Sequence, residues 1–413
     1  ILIMIFLPNE HEEQVLTRIQ KYNRNEFALV RLTSTMLNKS IIDASFLVRE
    51  SLKTYNFVDY KDIKQGIEYK QIREGYFLAT NSISTMIKEI KASFYRPKTK
   101  KGDPRFWILR LKSLNMVKSG DLIYISVYRS LTDNKPKLIL INLSNNSVDE
   151  FLLRDFFGQD KLMDITRKLL PLVKDISKKG YQKNYKGSGN LSPKDVGQTF
   201  EHLLNIKDNS SKLADFEETI EIKAKRASVK TNDTLFSMVP DYSIGNVQSS
   251  NEMIRKYGYP SSREKYKEFI DLYVTVGKKA NNQGLFLEVD EDKELICQWH
   301  RNVITGEKTL TCAWKFKDVK ERLYSKHRST LWIIADEKVQ NNTFYFHYNK
   351  AQLTRQPLFS SFITLVKSGD ITFDWRGRVK PDGTKYKDKG HAWRMSPKNR
   401  ELLFGEIETI ILD

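Results

Sequence analysis

The stretch Ala214–Arg226, ADFEETIEIKAKR, sets an aspartate, a glutamate and a lysine around an alternating Ile-Glu-Ile-Lys run. Successive side chains of a β-strand point to opposite faces, so the two isoleucines face one side and Glu221 and Lys223 face the other. A preceding turn or strand would bring Asp215 alongside Glu221. The pattern is typical either of a charged edge strand with a solvated ion pair or of a metal-dependent phosphodiesterase centre.

The second interpretation rests on the chemistry of these three groups. Two carboxylates as close as Asp215 and Glu221 repel each other unless a cation neutralises them, and Mg²⁺ is the common hard ion when phosphate is the substrate. Such an ion activates a water molecule and stabilises charge on the scissile phosphate. Lys223 would orient that water or help to take its proton, and its charge favours the transition state. Because a chain rich in Glu and Lys produces such triplets by chance, the surrounding sequence has to decide.

The composition favours a polyanionic partner. The chain has 413 residues, 40% of them hydrophobic, and a formal net charge of +18 from 69 Lys+Arg and 51 Asp+Glu. The length indicates two domains and the hydrophobic content a sizeable core. The positive surplus favours nucleic acid ahead of an anionic membrane, and a basic surface without a special partner is the alternative.

Cysteines and apolar runs give no sign of a zinc cage or a membrane span. Cys297 and Cys312 do not form a Cys-x-x-Cys pair, which argues against structural zinc, and so few cysteines fit a reducing cytoplasm. The opening ILIMIFLP is too short to span a bilayer and is interpreted as an early strand. Later runs are also too short for a membrane helix, so no membrane partner is expected.

The first half of the chain is predicted to be mostly β, as a small pseudobarrel or sandwich. Short β-branched or aromatic runs alternate with Gly, Asn, Asp and Pro, for example EFALVRLTST, RFWILRLKSL and DLIYISVYRS. One helix is expected within it, at ISTMIKEIKASF (83–94). The run DKLMDITRKLLPLVKDISKK has apolar residues at helical spacing and predicts a connecting helix.

A linker is predicted at residues 181–190, because KKGYQKNYKGSGNLSPKD is rich in Lys, Gly, Ser and Asn and nearly devoid of apolar residues. The domains are therefore expected at 1–180 and 191–413. The second opens with a helix over VGQTFEHLL and continues with many strands. Helices are expected at REKYKEFIDLY (263–273) and QPLFSSFITLVKSG, which indicates a mixed α/β domain with a central sheet.

Several blocks in the second half resemble one protein family. The order VGQTFEHLL…ADF…IEIKAKR…TLFSMVP, followed by YFHYNKAQL, LVKSGDITFDWRGRV and GHAWRMS, resembles the MvaI/BcnI family of restriction endonucleases, which are relatives of the mismatch-repair nicking enzyme MutH. The resemblance covers roughly residues 190–413. Several blocks in the correct order are more specific than any one of them.

The resemblance implies a restriction-endonuclease-like PD-(D/E)XK fold and Mg²⁺-dependent cleavage of DNA. It implies that Asp215 and Glu221 bind the metal, that Lys223 is the catalytic lysine, and that Glu201 on the upstream helix assists. This chain departs from the family signature at Ala214, where proline is common, and in the five residues between the two carboxylates. Glu217 or Glu218 could take the place of Asp215.

DNA contacts are expected in three regions. The densest is the basic stretch, residues 374–394, DWRGRVKPDGTKYKDKGHAWR; arginine pairs with guanine in the major groove, and lysine mostly meets phosphate. The alternative interpretation of this stretch is a solvated basic hairpin that does not contact DNA. Arg376, Arg378 and His391 are the expected base readers. The other candidates are Lys380, Lys385 and Arg394 here, Lys225 and Arg226 after the active-site strand, and Arg31, Arg96, Lys98, Lys101 and Arg105 in the first half.

The first half lies outside the family resemblance. Its strand order resembles the effector DNA-binding domain of EcoRII, a pseudobarrel that binds a second copy of the target, on patterns such as EFALVRLTS and RFWILRLK. The aromatic residues beside its basic segment are expected in a strand core rather than as base-stacking platforms. This resemblance implies a two-site enzyme whose N-terminal domain holds one DNA copy.

The resemblance to the MvaI/BcnI family thus implies a monomeric, bacterial, cytoplasmic Type II restriction endonuclease. It also implies action on double-stranded DNA at a short G·C-rich site of the CCWGG kind and a cognate DNA methyltransferase as partner. Two alternatives remain: a strand-nicking repair nuclease of the same fold, and a non-catalytic, sequence-specific DNA-binding protein with a degenerate nuclease domain. The complete set of four candidate active-site residues argues against the second.

Overall fold

The computed structural model describes residues 8–80, 85–129, 133–145, 149–158, 161–188, 191–206 and 214–412. The chain divides into two compact units, residues 1–160 and 161–413. This boundary precedes the expected one at residue 180. The early strand expected at ILIMIFLP falls mostly on residues 1–7, which lie outside the described residues.

The first unit is built on one sheet with helices at either end of its sequence. Its helices are α1 (Glu10–Tyr22), α2 (Ser34–Lys39), α3 (Phe46–Leu52) and α4 (Glu150–Phe157). Its strands are β1 (Phe27–Arg31), β2 (Ile42–Asp43), β3 (Gln71–Thr80), β4 (Thr85–Tyr95), β5 (Arg105–Ile108), β6 (Leu122–Arg129) and β7 (Pro136–Asn142). In the described part of the unit the sheet order is β1-β6-β7-β3-β4-β5-β2. Only β3 and β7 pair in parallel there.

Both faces of this sheet carry a hydrophobic core, which explains its continuous apolar strands. One face packs Phe77, Phe94 and Ile125 with residues of α3. On the other face, Tyr124 and Ile139 pack with residues of α1 and α4. The unit is therefore β-rich, as expected.

The helix predicted at 83–94 is wrong, because this segment forms most of β4. Ile90, Ala92 and Phe94 alternate into the core, and β4 pairs with β3 and β5 on its two sides. The apolar spacing suited a helix, but the ladder bonds on both edges and the buried alternate residues favour a strand.

The second unit contains six helices and fourteen strands among the residues that are described. The helices are α5 (Lys161–Lys178), α6 (Asp195–Leu203), α7 (Ser250–Tyr257), α8 (Phe316–Lys326), α9 (Phe359–Ser368) and α10 (Arg400–Phe404). The strands are β8 (Gln182–Ser188), β9 (Ile220–Arg226), β10 (Asp233–Ser237), β11 (Tyr259–Pro260), β12 (Ile270–Val276), β13 (Leu285–Asp290), β14 (Leu295–Arg301), β15 (Lys308–Lys315), β16 (Ser329–Gln340), β17 (Thr343–Arg355), β18 (Ile371–Val379), β19 (Lys387–Asp388), β20 (Ala392–Met395) and β21 (Glu408–Ile410).

Three sheets organise these strands. The central one has the order β21-β17-β16-β9 with β8 added on β17, and it is mixed because β9 runs parallel to β16 while the other pairs are antiparallel. A second sheet has the order β10-β20-β18-β12-β11, with β19 on β18, and β13-β14-β15 form the third. The mixed α/β architecture agrees with the expectation for this half.

The predicted connecting helix α5 belongs to the core of the second unit. Leu169, Val173 and Ile176 of α5 pack with Phe200 of α6 and Ile222 of β9. An apolar stripe at helical spacing has to be buried against a neighbour, and here the neighbour is the central sheet. The helix is thus part of this unit rather than an end piece of the first.

The residues predicted as the linker are largely a strand. Gln182–Ser188 forms β8, which pairs with β17, and Asn184 lies within hydrogen-bond distance of Asp195 and Thr199 at the start of α6. Polar composition alone therefore did not mark a flexible segment here. The helix expected at 263–273 is likewise wrong, since a 3₁₀ turn at Glu264–Tyr266 is followed by β12.

No described helix combines the length and the apolar character needed to cross a membrane.

Candidate active site

A tight turn places the first carboxylate beside the active-site strand. Phe216 and Ile220 exchange two backbone hydrogen bonds, of 2.9 and 3.0 Å, across this turn. Glu217 and Glu218 within it have φ of 46° and 54°. A pair of non-glycine residues in the left-handed region is uncommon and marks a turn that its surroundings hold in place. The chain therefore reverses just before β9.

The reversal brings Asp215 against the strand that follows. Its Oδ2 accepts a hydrogen bond of 2.8 Å from the backbone N–H of Ile222. Burial raises the pKa of Asp215 above its ordinary value, and the nearby charge of Glu221 raises it further. A second carboxylate close enough to exert this effect is the arrangement expected from the sequence.

Glu221 lies between two lysines. Only 2% of the residue is exposed. Its Oε1 accepts a hydrogen bond of 2.6 Å from Lys223 Nζ, and its Oε2 lies 3.4 Å from Lys326 Nζ. Burial opposes the charge of Glu221, but the two ammonium groups outweigh this effect, so the pKa of Glu221 lies below its ordinary value.

Lys223 is a cation in this arrangement. Burial alone would lower its pKa, but the carboxylates of Glu221, Asp215 and Glu201 outweigh that effect and raise the pKa above the ordinary value. A protonated lysine donates hydrogen bonds and stabilises negative charge; it does not accept a proton. The structure therefore favours the charge-stabilising and water-orienting roles of Lys223 over that of a base.

Glu201 reaches this cluster from α6. The carboxylate is half-buried on the helix and lies close enough to Lys223 to affect its pKa. The helix is fixed at its start, because Tyr348 donates a hydrogen bond of 2.8 Å to the carbonyl of Val196. All four candidate catalytic residues thus belong to one charged cluster.

The alternative carboxylates of the turn do not join this cluster. Glu217 is exposed and pairs with Lys168 of α5 at 3.1 Å. Glu218 is exposed as well. Asp215 is therefore the acidic residue of this turn that faces Glu221.

Two further residues of the site were not found from the sequence. Lys326 is the last residue of α8, and His327 follows it. They reach the site because β16 starts directly after them and runs parallel to β9, with Thr330 opposite Glu221. Only this strand pairing could have identified them, since they carry no local motif.

His327 is a buried, neutral histidine beneath the site. Its Nδ1 lies 2.7 Å from Thr330 Oγ1, and its Nε2 lies 2.9 Å from the carbonyl oxygen of Leu235. Burial, reinforced by the charge of Lys223, lowers the pKa of His327 to about 4. The ring is therefore an uncharged hydrogen-bonding link between two strands at neutral pH.

The donor set suits a hard divalent cation with few protein ligands. Asp215 and Glu221 supply carboxylate oxygens, and their mutual repulsion is the kind that a cation relieves. In the part of the chain that the structure describes, no group of three or more His, Cys, Asp or Glu residues could by itself enclose a metal ion. Two carboxylates nevertheless fit Mg²⁺, which usually keeps several waters and shares phosphate oxygens of the substrate.

The two basic residues that end β9 are engaged in ion pairs. Lys225 lies 3.3 Å from Asp233 and also donates to the carbonyl oxygen of Thr231. Arg226 pairs with Glu337 of β16 at 2.8 Å. Both side chains remain partly exposed, so these pairs orient them beside the active site.

The expected base readers divide into exposed and buried groups. Arg378 and His391 are only 3% and 1% exposed. Arg378 stacks on the Tyr266 ring at 3.7 Å and lies 3.4 Å from Asp271. These two side chains hold the interior of the basic stretch together, so the prediction that they read bases is corrected to a structural role.

His391 in particular serves as an internal acceptor. Its Nδ1 accepts a hydrogen bond of 3.0 Å from the backbone N–H of Arg376, and its ring packs on Trp375 at 4.5 Å. Burial lowers the pKa of His391 to about 4, against the opposing charge of Asp388. A neutral ring with this geometry fixes the two strands of the hairpin.

The remaining candidate DNA contacts of the basic stretch are partly or fully exposed. Arg376 is partly exposed and donates to the carbonyl oxygen of Gly390, and Arg394 pairs with Asp374 at 2.8 Å. Lys380 pairs with Glu268 at 2.7 Å in an exposed position, and Lys385 is exposed on the loop. A DNA contact with this stretch would fall on these four side chains.

The candidates in the first unit also differ in their surroundings. Arg31 forms two hydrogen bonds with the buried Glu12, of 2.7 and 2.8 Å, which is a structural pairing rather than an open contact. Arg96 donates to the carbonyl oxygen of Gly102 at 2.9 Å. Of the other three, Lys98 pairs with Glu68, Arg105 pairs with Asp43, and Lys101 is exposed on the loop between β4 and β5.

Comparison with known proteins gives two kinds of match. The sequence profile of the MvaI/BcnI restriction endonuclease family matches residues 170–404. The solved structure of restriction endonuclease MvaI with its cognate DNA substrate matches with a TM-score of 0.51 and 22% identity, covering 62% of this chain and 100% of that one. MvaI without DNA matches with a TM-score of 0.37 and 20% identity, covering 62% and 99%. No curated protein matches significantly.

Proposed function

The chain belongs to the MvaI/BcnI restriction endonuclease family, and on that premise we propose that it hydrolyses DNA phosphodiester bonds with Mg²⁺ at a short G·C-rich site. The observation that carries this proposal is the convergence of Asp215, Glu221, Lys223 and Glu201 in one cluster. A degenerate nuclease would be expected to have lost one of these groups. Membership of this family makes the chain a Type II site-specific endonuclease.

Asp215 and Glu221 would hold the metal ion, and Glu201 would assist from α6. When bound, the ion activates a water molecule and neutralises charge on the scissile phosphate. Lys223 orients the water through its ammonium protons and stabilises the negative charge that develops on the phosphate. Lys326, on the opposite oxygen of Glu221, keeps that carboxylate ionised and fixed in position.

Recognition of the DNA is assigned to the exposed part of the basic stretch. Arginine pairs with guanine and lysine mostly meets phosphate, so Arg376 and Arg394 are assigned to bases and Lys380 and Lys385 to phosphates. We propose a CCWGG-like target that is cut by a monomer. One copy of an asymmetric chain cannot match both halves of such a site at once, so the two strands would be nicked in sequence.

The first unit is proposed to be an effector-like DNA-binding domain that holds a second copy of the target. Its pseudobarrel character is part of this proposal. The support is the basic loop between β4 and β5, where Lys98 and Lys101 are exposed beside Arg96 and Arg105. Such groups make salt-sensitive phosphate contacts.

Two truncations test the division of labour between the units. The fragment 161–413 keeps α5 and is expected to fold and to cut DNA, with altered dependence on the number of target sites. The fragment 181–413 lacks Leu169, Val173 and Ile176, which pack in its core, and is expected to be unfolded. A folded 161–413 that is inert on every DNA would contradict the proposed site.

The biological setting follows from the class of enzyme. A restriction endonuclease requires protection of the host's own target sites, so we propose a cognate DNA methyltransferase in the same bacterial cytoplasm. Both cysteines are buried free thiols, as suits a reducing compartment.

The decisive experiment uses unmethylated phage DNA. Purified protein is incubated with the DNA and Mg²⁺, beside a sample in EDTA and the Lys223→Ala variant, and the fragment ends are sequenced. Discrete fragments that require both Mg²⁺ and Lys223 give the site at once. Tight, sequence-selective binding without cleavage would instead favour a DNA-binding protein, and cleavage that stops after one strand would favour a repair nicker.

A further inference from the structure

The hairpin between β14 and β15 ends in an exposed apolar tip. Val303 is 88% exposed and Ile304 is 94% exposed, the highest values for large apolar side chains among the described residues. A soluble protein normally keeps such side chains covered or scattered, and adjacent ones at a projecting tip require an explanation.

The tip is built to hold these two residues outward. Asn302 Oδ1 accepts hydrogen bonds from the backbone N–H groups of Ile304 and Thr305, at 2.8 and 3.1 Å. The N–H of Asn302 donates to the carbonyl of Glu307, and that of Gly306 donates to the carbonyl of Asn302. Gly306, with φ of 72°, supplies the left-handed residue that closes the turn. The two apolar side chains therefore project from a closed loop.

Two cations flank this tip at the base of the hairpin. Arg301 lies over the Phe286 ring at 5.2 Å, and Lys308 lies over the Trp299 ring at 4.9 Å. Both residues are exposed, and the Lys308 ammonium also pairs with the Glu288 carboxylate at 2.8 Å. In a DNA groove, negatively charged phosphates lie on either side of the less polar bases. An apolar tip between two cations suits such a groove.

The β14–β15 hairpin and the basic stretch both lie against the short helix α7. The ring of His300 in β14 lies 4.9 Å from Tyr257 in α7. Asn251 of the same helix donates a hydrogen bond of 2.8 Å to Gly383 in the basic stretch. The base of the hairpin and the basic stretch therefore both contact α7.

We propose that the β14–β15 tip is a DNA wedge, in which Val303 and Ile304 enter a groove and partly unstack a base step. Arg301 and Lys308 contact the adjacent phosphates. Side chains of this kind unstack and kink duplexes in other DNA-binding proteins. A second protein copy is the poorer occupant, because two side chains bury far less than the ~800 Å² per partner of a stable interface.

This inference rests on the proposed function, and its test uses the full chain. The variant Val303→Ser/Ile304→Ser is compared with Leu402→Ser/Ile411→Ser, whose side chains are 60% and 71% exposed elsewhere. The probe is a duplex with the mapped cleavage site and 2-aminopurine at successive positions, held in EDTA. Wild-type protein should raise the fluorescence at one step. The tip variant should lose that signal and bind about tenfold more weakly, while the control should behave as wild type.

Three outcomes would overturn the wedge. The first is a tip variant that binds with wild-type affinity and an unchanged fluorescence signal. The second is concentration-dependent self-association of the wild type that disappears in the tip variant, which would make the tip a protein contact. The third is a wild type that neither binds nor cuts DNA, which would overturn the proposed function as well. Wild-type cleavage together with the first outcome would leave the proposed function intact.

Discussion

In the active-site stretch, residues 214–226, the charged side chains of Asp215, Glu221 and Lys223 converge on one another. In the basic stretch, residues 374–394, the charged side chains separate. Arg378 and His391 turn into the interior, while Lys380 and Lys385 remain outside. Both stretches show alternation and a high density of charge in the sequence.

The two stretches differ in the side chains that neighbouring elements place against each strand. Beside β9, α8 and α6 supply further charged groups, so Glu221 is buried with the partly exposed Lys223 as its partner. Beside β18, the aromatic residues Tyr266 and Tyr273 cover one face, and Arg378 is the side chain that stacks on them. A run of basic residues therefore does not by itself define a basic surface.

The largest effect should come from the active-site stretch. Lys223→Ala removes the cation that we propose faces the scissile phosphate, and Glu221→Gln removes a proposed metal ligand. Either change should lower the cleavage rate by about a thousandfold or more, with affinity for the duplex largely kept. Initial nicking rates and a binding titration on the same DNA give both quantities.

The matched control is Glu217→Gln in the same turn. Its exposed pair with Lys168 is not part of the cluster, so cleavage should be nearly unchanged. If Glu217→Gln were inactive and Asp215→Asn active, the two carboxylates would have to exchange roles.

The next effect concerns the interior of the basic stretch. Arg378→Met removes one partner of a buried ion pair and leaves Asp271 without its cation, so the free energy of unfolding should fall by about 3 kcal/mol. Urea denaturation followed by tryptophan fluorescence reports mainly on the second unit, because Trp107 is the one tryptophan in the first. Lys385→Gln is the control and should leave stability unchanged. Loss of DNA specificity in Arg378→Met without loss of stability would restore this arginine as a base reader.

Each stretch also contains one buried histidine, which predicts acid sensitivity. The pKa of His327 is about 4 in the folded chain and about 6.5 in an unfolded one, so the unfolded state binds the proton first as pH falls. The contribution of neutral His327 to the free energy of unfolding is complete above pH ~6.5. It decreases by up to about 3 kcal/mol as the pH falls to about 4.

The variant His327→Gln checks this through the slope of stability against pH. Its unfolding free energy should be lower at pH 7 but should fall less steeply between pH 6.5 and 4. An unchanged slope would mean that other groups dominate acid unfolding. The pKa of His391 is also about 4, so its replacement should give a change of slope of similar size.

The smallest effect should come from the exposed lysines. Lys385→Gln should weaken DNA binding by a few fold, uniformly across sequences, and should reduce the salt dependence of log Kd by about one. Binding titrations over a range of salt concentrations measure this slope. A change of sequence preference, rather than of salt slope, would place Lys385 on a base edge.

The sequence was sufficient where the information is local. Asp215, Glu221 and Lys223 lie within one turn and one strand, and the preceding helix contributes Glu201, so motif order and strand alternation predicted the cluster. Lys326 and His327 were missed because β16 brings them in from a distant part of the chain. The spacing of residues along the sequence does not reveal that β9 and β16 pair in parallel.

The errors in secondary structure have the same origin. The segments 83–94 and 263–273 have apolar residues at helical spacing, but β4 has sheet partners on both sides and β12 pairs with β18. Tertiary pairing outweighs local propensity in such cases. The burial of Arg378 and His391 likewise depends on Tyr266 and Trp375, and composition cannot reveal those contacts.

The parallel pairing of β9 with β16 also orders events during protein synthesis. Lys326 follows Glu221 by 105 residues, so the ribosome takes roughly 5–20 s to deliver it after the first carboxylates have emerged. Until then β9 has no neighbouring strand and Glu221 lacks one of its two cations. The complete charged cluster, with both lysines on Glu221, can therefore form only after most of the second unit has been translated.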